Sequence, residues 1–174
     1  MIIRPAAPED ISAVAAIFSE VHDAEAAGIT TTGWLRDIYP VRATAEAALN
    51  RGDLFVQEDK GTIVGTAVIN QIQVDVYEGA PWKHPAEAEQ VMVLHTLAIS
   101  PKAARQGYGK QFVAFYEDYA RKLGCRYLRM DTNARNLTAR AMYRKLGYQE
   151  IGIVPCVFNG IPDVSLVLLE KKLT

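Results

Sequence analysis

The sequence predicts one α/β (α+β) domain in which a mixed sheet carries helices on both faces. Three observations lead there. The chain has 174 residues, 49% apolar and 22% charged, which suits one soluble core. Its second half alternates apolar runs of strand length with segments of helical period. One run, Val91 to Ile99, is almost continuously apolar, as expected for a strand covered on both faces.

Taken in order, Met1 to Arg4 reads as a short strand. Pro8-Glu9-Asp10 opens a helix, with Ile11, Val14, Ala15, Phe18 and Val21 at helical spacing. Gly28 to Pro40 is bounded by chain breakers, holds Trp34 and Tyr39, and reads as a second short helix with loops. Thr44 to Asn50 can form a helical stretch ended by Arg51-Gly52. Leu54 to Val56 and Ile63 to Val76 are β-rich runs joined at Asp59-Lys60-Gly61, a hairpin signal. Glu78 to Gln90 has little periodicity and reads as a loop. Ser100-Pro101 stops the strand Val91 to Ile99. Gly107 to Leu123 follows as a helix, with Phe112, Tyr116, Tyr119, Ala120 and Leu123 on one face and Gly124 just past its end. Arg126 to Asp131 is a strand, and Leu137 to Leu146 a helix closed by Gly147. Tyr148 to Val157 and Val164 to Leu169 are two more strands, separated by residues 159 to 163. The predicted order is β, α, α, β, β, β, α, β, α, β, β, without repeat, linker or low-complexity segment.

Composition excludes several functions. Nineteen Lys and Arg against twenty Asp and Glu give a net charge of −1, so nothing marks a nucleic-acid binder. No apolar stretch is long enough for a membrane span, and the first residues do not read as a signal peptide. Two cysteines, Cys125 and Cys156, make neither a disulfide framework nor a metal cluster. They fit a reducing cytoplasm, and no metal is expected. The densest positive stretches, Lys102 to Lys110 and Arg135 to Lys145, suit a small polyanion better than a polymer.

The first of these stretches contains Ser100-Pro101-Lys102-Ala103-Ala104-Arg105-Gln106-Gly107-Tyr108-Gly109-Lys110. A buried strand leads through a glycine-containing turn into a helix. Gly107 and Gly109 let backbone N–H groups approach a ligand, and the helix start adds unpaired donors and partial positive charge. Arg105 and Lys110 add mobile charge. Together they would cradle a pyrophosphate. The Walker loop does not fit, because Ala104 and Gln111 stand where it needs Gly and Ser or Thr. The dinucleotide fingerprint does not fit either, because Phe112 stands where its third glycine belongs.

The segment resembles the Gln/Arg-x-x-Gly-x-Gly/Ala loop of the GNAT superfamily of acyl-CoA-dependent N-acyltransferases, with Ala104 in the Gln/Arg position and Arg105 one place along. A second segment, Asn136-Leu137-Thr138-Ala139-Arg140-Ala141-Met142-Tyr143-Arg144-Lys145-Leu146-Gly147-Tyr148, resembles that superfamily's Asn-x-x-Ala-x-x-x-Tyr-x-x-x-Gly-Phe/Tyr signature throughout. Asn136 and Tyr143 are two helical turns apart and share a face.

The resemblance implies a mostly antiparallel sheet of six to seven strands, with a splayed central strand pair holding the coenzyme. It implies acetyl-CoA as cosubstrate, bound by Leu97, Ala98, Ile99, Arg105, Gln106, Gly107, Tyr108, Gly109, Lys110, Asn136 and Tyr143. The acetyl group would pass to an amine, on a small molecule or a peptide, by direct attack in a ternary complex. Backbone N–H groups near Leu97 would hold the thioester oxygen, and Tyr143, a phenol protonated at neutral pH, would protonate the departing thiolate. An alkyl amine is mostly protonated at pH 7, so a base is needed. His95 occupies the position where many relatives have Glu, while Glu87, Glu89 and His84 are weaker candidates. The acceptor side is expected to draw on Trp34, Tyr39, Trp82 and Phe158 for apolar walls, and on Asp37, Asp75, Glu78 or Asp163 for a cationic amine. A homodimer through the late strands is the assembly the resemblance implies. The competing function is a non-catalytic acyl-CoA-binding or regulatory module on the same fold.

Overall fold

The structure is a computed structural model describing residues 1–174, and its elements follow the predicted order. They are β1 (Ile2–Pro5), α1 (Ile11–Ala26), α2 (Arg42–Arg51), β2 (Leu54–Asp59), β3 (Thr62–Asn70), β4 (Val91–Ile99), α3 (Tyr108–Lys122), β5 (Tyr127–Asn133), α4 (Leu137–Lys145), β6 (Gln149–Phe158) and β7 (Ile161–Lys172). No helix is long and apolar enough to cross a membrane.

The strands form one seven-stranded sheet in the order β1-β2-β3-β4-β5-β7-β6. All neighbours are antiparallel except β4 and β5. Period-2 alternation divides the core between the two faces. Leu54, Val56 and Val68 join Val14, Phe18 and Ala48 of α1 and α2. Phe55, Ala67 and Ile69, one residue out of phase, join Phe112 and Tyr116 of α3 and Tyr143 of α4. In β4 the residues Val91, Met92, Val93 and Leu94 are all buried, because both faces there are covered. Val91 and Val93 pack with Leu166, Leu168 and Tyr77 of the loop after β3. The sheet therefore carries α1, α2 and that loop on one face, and α3 and α4 on the other.

Three expectations are corrected. Residues 28 to 40 hold no helix; their one regular feature is a bridge between Leu35 and Tyr39. Glu25, near the end of α1, claims the local donors instead. Its Oε2 accepts from Thr32 N–H at 2.8 Å and from the Thr30 and Thr32 hydroxyls at 3.0 Å each, and its Oε1 accepts from Gly33 N–H at 3.0 Å. Gly33, at φ 74°, comes so close to β5 that an added Cβ would lie 2.3 Å from Asn133 Nδ2.

The strand expected to reach Val76 ends at Asn70, whose Oδ1 accepts from Ile72 N–H at 2.9 Å and turns the chain. The last strand is longer than predicted. Asn159 and Gly160, at φ 51° and 79°, make a two-residue turn, and pairing resumes at Ile161 opposite Phe158.

Candidate functional site

β4 and β5 are the one parallel pair, and they part halfway. Their register runs from Val91↔Tyr127 to Leu94↔Met130 and stops. β4 continues to Ile99 along β3, and β5 continues to Asn133 along β7. Beyond Leu94 and Met130 the facing edges are unpaired with each other. A bulge accompanies the parting: Val68 opposes His95 while Thr66 opposes Ala98, and Thr96 adopts φ 50°. On the paired side, Tyr116 of α3 holds the two strands together. Its buried hydroxyl lies 2.6 Å from Met92 O and 3.2 Å from Arg129 O.

The fork opens into a cavity of ≈ 790 Å³. At one end lies the glycine-containing loop. Gly107 caps α3 at φ 82°, and the first helical bond runs from Gln111 N–H to Gly107 O at 3.1 Å. The N–H groups of residues 108 to 110 therefore have no partner within the helix. Arg105, Gly107, Tyr108, Gly109 and Lys110 all line the cavity. Gln106 does not; its Oε1 instead accepts from the Tyr108 hydroxyl at 3.3 Å. Lys102 is drawn away by Glu20 of α1 at 2.5 Å. Leu97 and Ile99 line the cavity, whereas Ala98 is buried in the core beneath α1.

α4 supplies the next wall. Asn136 caps it, its Oδ1 accepting from Ala139 N–H at 3.2 Å, which leaves the side-chain amide nitrogen available to the cavity that Asn136 lines. Capping and ligand contact thus use different atoms. Tyr143 is 6% exposed and lines the same cavity. Burial, and then the charge of Asp131, push its phenol well above the usual range, so it stays protonated. Arg140, between them in sequence, holds α4 to β6 through two bonds to Glu150 at 2.8 and 2.9 Å.

Beyond the fork, the opposite end of the cavity is apolar and aromatic. Trp34, Tyr39 and Phe158 line it with Val74, Val164 and Leu166. The Tyr39 hydroxyl bonds the Thr96 hydroxyl at the bulge, and burial pushes its pKa up to about 12. His95 lines this end too. The surroundings of Asn70 fix its tautomer. Asn70 Nδ2 donates to Asp53 Oδ2 at 2.9 Å, so the Asn70 oxygen is the atom that accepts from Ile72 N–H and faces His95 Nε2 at 2.9 Å. His95 Nε2 therefore donates to Asn70 Oδ1, and the Ile72 carbonyl offers the ring a second acceptor. Burial lowers its pKa to about 4.

The weaker base candidates Glu87 and Glu89 and the acceptor-side carboxylates Asp37, Asp75, Glu78 and Asp163 fall outside the cavity lining. Trp82 is stacked on the Arg129 guanidinium at 4.1 Å, and His84 on Tyr127 at 5.7 Å. The carboxylate that does line the cavity is Asp131, near the end of β5. In the sequence it stands only as the last residue of the strand Arg126 to Asp131. No sequence signal marks it, because the strand pairing that gives it its place ends beside it.

This constellation belongs to a recognisable class: a sheet split between two parallel strands, a glycine loop at a helix start on one side and a tyrosine helix alongside. The chain matches the family model described as the acetyltransferase (GNAT) family over residues 19–148, and it belongs to that family. It is similar to the uncharacterized N-acetyltransferase YhfO of Bacillus subtilis, with 23% identity over 152 residues, 86% of this chain and 91% of the relative. A GNAT-family acetyltransferase of Streptococcus agalactiae has the same fold, with a TM-score of 0.82 and 24% identity over 99% of this chain and 95% of that one. YncA of Salmonella typhimurium, solved with its cofactor acetyl-CoA, has a TM-score of 0.70 and 17% identity over 100% of this chain and 94% of that one.

Proposed function

We propose that this chain is an acetyl-CoA-dependent N-acetyltransferase that brings an acceptor amine and the acetyl thioester together at the fork between β4 and β5. The observation that carries the reading is one continuous cavity joining three features: the unpaired strand edges, the N–H groups opening α3, and the Tyr143 hydroxyl. The residues present fit the coenzyme. Donors at Gly107 to Lys110, with Arg105 and Lys110, suit a pyrophosphate. The unpaired edge of β4 at Leu97 and Ile99 suits the amide-bearing arm. Asn136 can donate to that arm while still capping α4. Ala98 contributes backbone alone, since its side chain is in the core, and Gln106 is a neighbour of the loop.

Bound acetyl-CoA would supply an activated acetyl group. The chain supplies the surroundings. Backbone N–H groups beside Leu97 stabilise charge developing on the thioester oxygen, next to the aromatic walls of the cavity. Tyr143, protonated and without a hydrogen-bond partner in the protein, donates to the leaving sulfur. Direct transfer is favoured because neither cysteine lines the cavity.

The test is Tyr143→Phe. Turnover, read as thiol release with a panel of amines, should fall by about 10²–10⁴-fold, while acetyl-CoA binding by calorimetry changes little. Equal loss of both would show that Tyr143 serves binding alone.

A further inference from the structure

We propose that Asp131 binds the ammonium group of the acceptor and takes its proton, and that the acceptor is a small amine with one cationic centre on an apolar body. This rests on the acetyltransferase reading above. The starting point is position. The last paired residues are Leu94 and Met130, so His95 and Asp131 are the next residue on each strand. Alternation places both on the face that Val93 and Arg129 also occupy, the side of the apolar end of the cavity.

Asp131 Oδ2 accepts from the Tyr77 hydroxyl at 2.7 Å, and Oδ1 has no partner in the protein. The groups facing it are Tyr77 from the loop after β3, Tyr39 from the loop before α2, Tyr143 from α4 and Cys156 from β6, and His95 of β4 lines the same cavity. None of these is a cation at neutral pH. The nearest one along β5, Arg129, is engaged by Trp82, Gln73 and the carbonyl of His84. Asp131 is half-buried at the cavity wall, and a carboxylate there with no cation beside it carries an uncompensated charge. The fold offers no compensating charge, and a ligand ammonium would.

The same geometry limits the ligand. Asp131 is the one carboxylate lining the cavity, and the other ionisable chains there besides His95 and tyrosines are Arg105 and Lys110 at the far end. A polycation would set its further charges against apolar walls or those two cations. One ammonium on an apolar or aromatic body matches both features.

His95 is the weaker base of the two. Its Nε2–H is committed to Asn70, and burial lowers its pKa to about 4, whereas burial raises Asp131 to about 6. In the step, the ammonium gives one proton to Asp131. The freed nitrogen pair forms the C–N bond to the acetyl carbon as the C–S bond breaks. The sulfur takes the Tyr143 proton, the second nitrogen proton returns to Tyr143, and Asp131 releases its proton to solvent. The net products are amide, thiol and one proton.

The experiment titrates 2-phenylethylamine into the coenzyme A complex by calorimetry, for the wild type, Asp131→Asn and Asp131→Glu. The wild type should bind saturably, and more weakly as pH falls through about 6. Asp131→Asn should lose about tenfold or more in amine affinity and Asp131→Glu less, with coenzyme A affinity unchanged in all three. In parallel, the ¹³C carboxyl resonance of Asp131 in the wild type should shift on adding the amine, a readout independent of any variant's folding. Amine binding that is absent from the wild type, or unchanged in Asp131→Asn, would overturn the proposal. Loss of coenzyme A binding by the wild type would instead bring down the acetyltransferase reading on which the proposal rests.

Discussion

Asp131 is a residue whose cost can be measured without knowing any substrate. Its carboxyl is raised from 3.8 to about 6 by burial, against which the Tyr77 hydrogen bond works only in part. The folded protein holds the proton more tightly than the unfolded chain does. The penalty is therefore absent below about pH 4, grows as pH rises towards 6, and is complete above it. About two pKa units correspond to roughly 3 kcal/mol as an upper bound, reduced because the half-buried carboxylate still meets water at the cavity wall. Asp131→Asn keeps an oxygen for Tyr77 and removes the charge, so it should be more stable than the wild type at pH 8, with the gain vanishing near pH 4. Urea unfolding at the two pH values measures this, and an asparagine variant less stable at pH 8 would contradict it. The same charge acts on Tyr143, whose phenol is raised by burial first and by Asp131 second. Protonating Asp131 removes the second contribution, so taking the amine's proton makes Tyr143 a better acid.

At the scale of elements, the fork depends on where β4 and β5 stop pairing. Tyr116 reaches from α3 to the carbonyls of Met92 and Arg129, just before the last paired residues. Tyr116→Phe removes a buried hydroxyl bond at this junction and should cost about 1–3 kcal/mol, seen as a lower urea midpoint with an unchanged slope. An unchanged midpoint would mean that the strands are held by their register alone. Sequence legibility follows the same physics. Val91 to Ile99 was readable because both of its faces are covered, and α3 and α4 because each carries a clear apolar stripe and ends near glycine. Residues 28 to 40 were misread because their conformation is set by Glu25 and by contact with Asn133, neither of which leaves a periodic signal. The end of β3 was misread because an apolar run continues through Val74 and Val76 after Asn70 has already turned the chain. Tyr143, Asn136 and the Gly107 loop were legible through spaced motifs. Asp131 was not, because its significance comes from a strand pairing that ends beside it.

For the whole molecule, the two faces of the sheet serve different parts of one cavity. The α3–α4 face presents the glycine loop, Asn136 and Tyr143, while the face carrying α1, α2 and the loop after β3 presents aromatic walls and the carboxylate. The split between β4 and β5 connects them. The order of elements and the mixed sheet were readable from alternating periods. The position of β7 between β5 and β6 was not, since nothing local in the sequence records which strand lies beside which. The central claim is that this cavity takes acetyl-CoA, and calorimetric titration with acetyl-CoA, ATP and NAD tests it most directly. Saturable binding of acetyl-CoA, weakened by Gly107→Val at the left-handed cap of α3 and not matched by ATP or NAD, is the predicted result. No binding of acetyl-CoA by the wild-type protein, or equal binding of all three ligands, would contradict it.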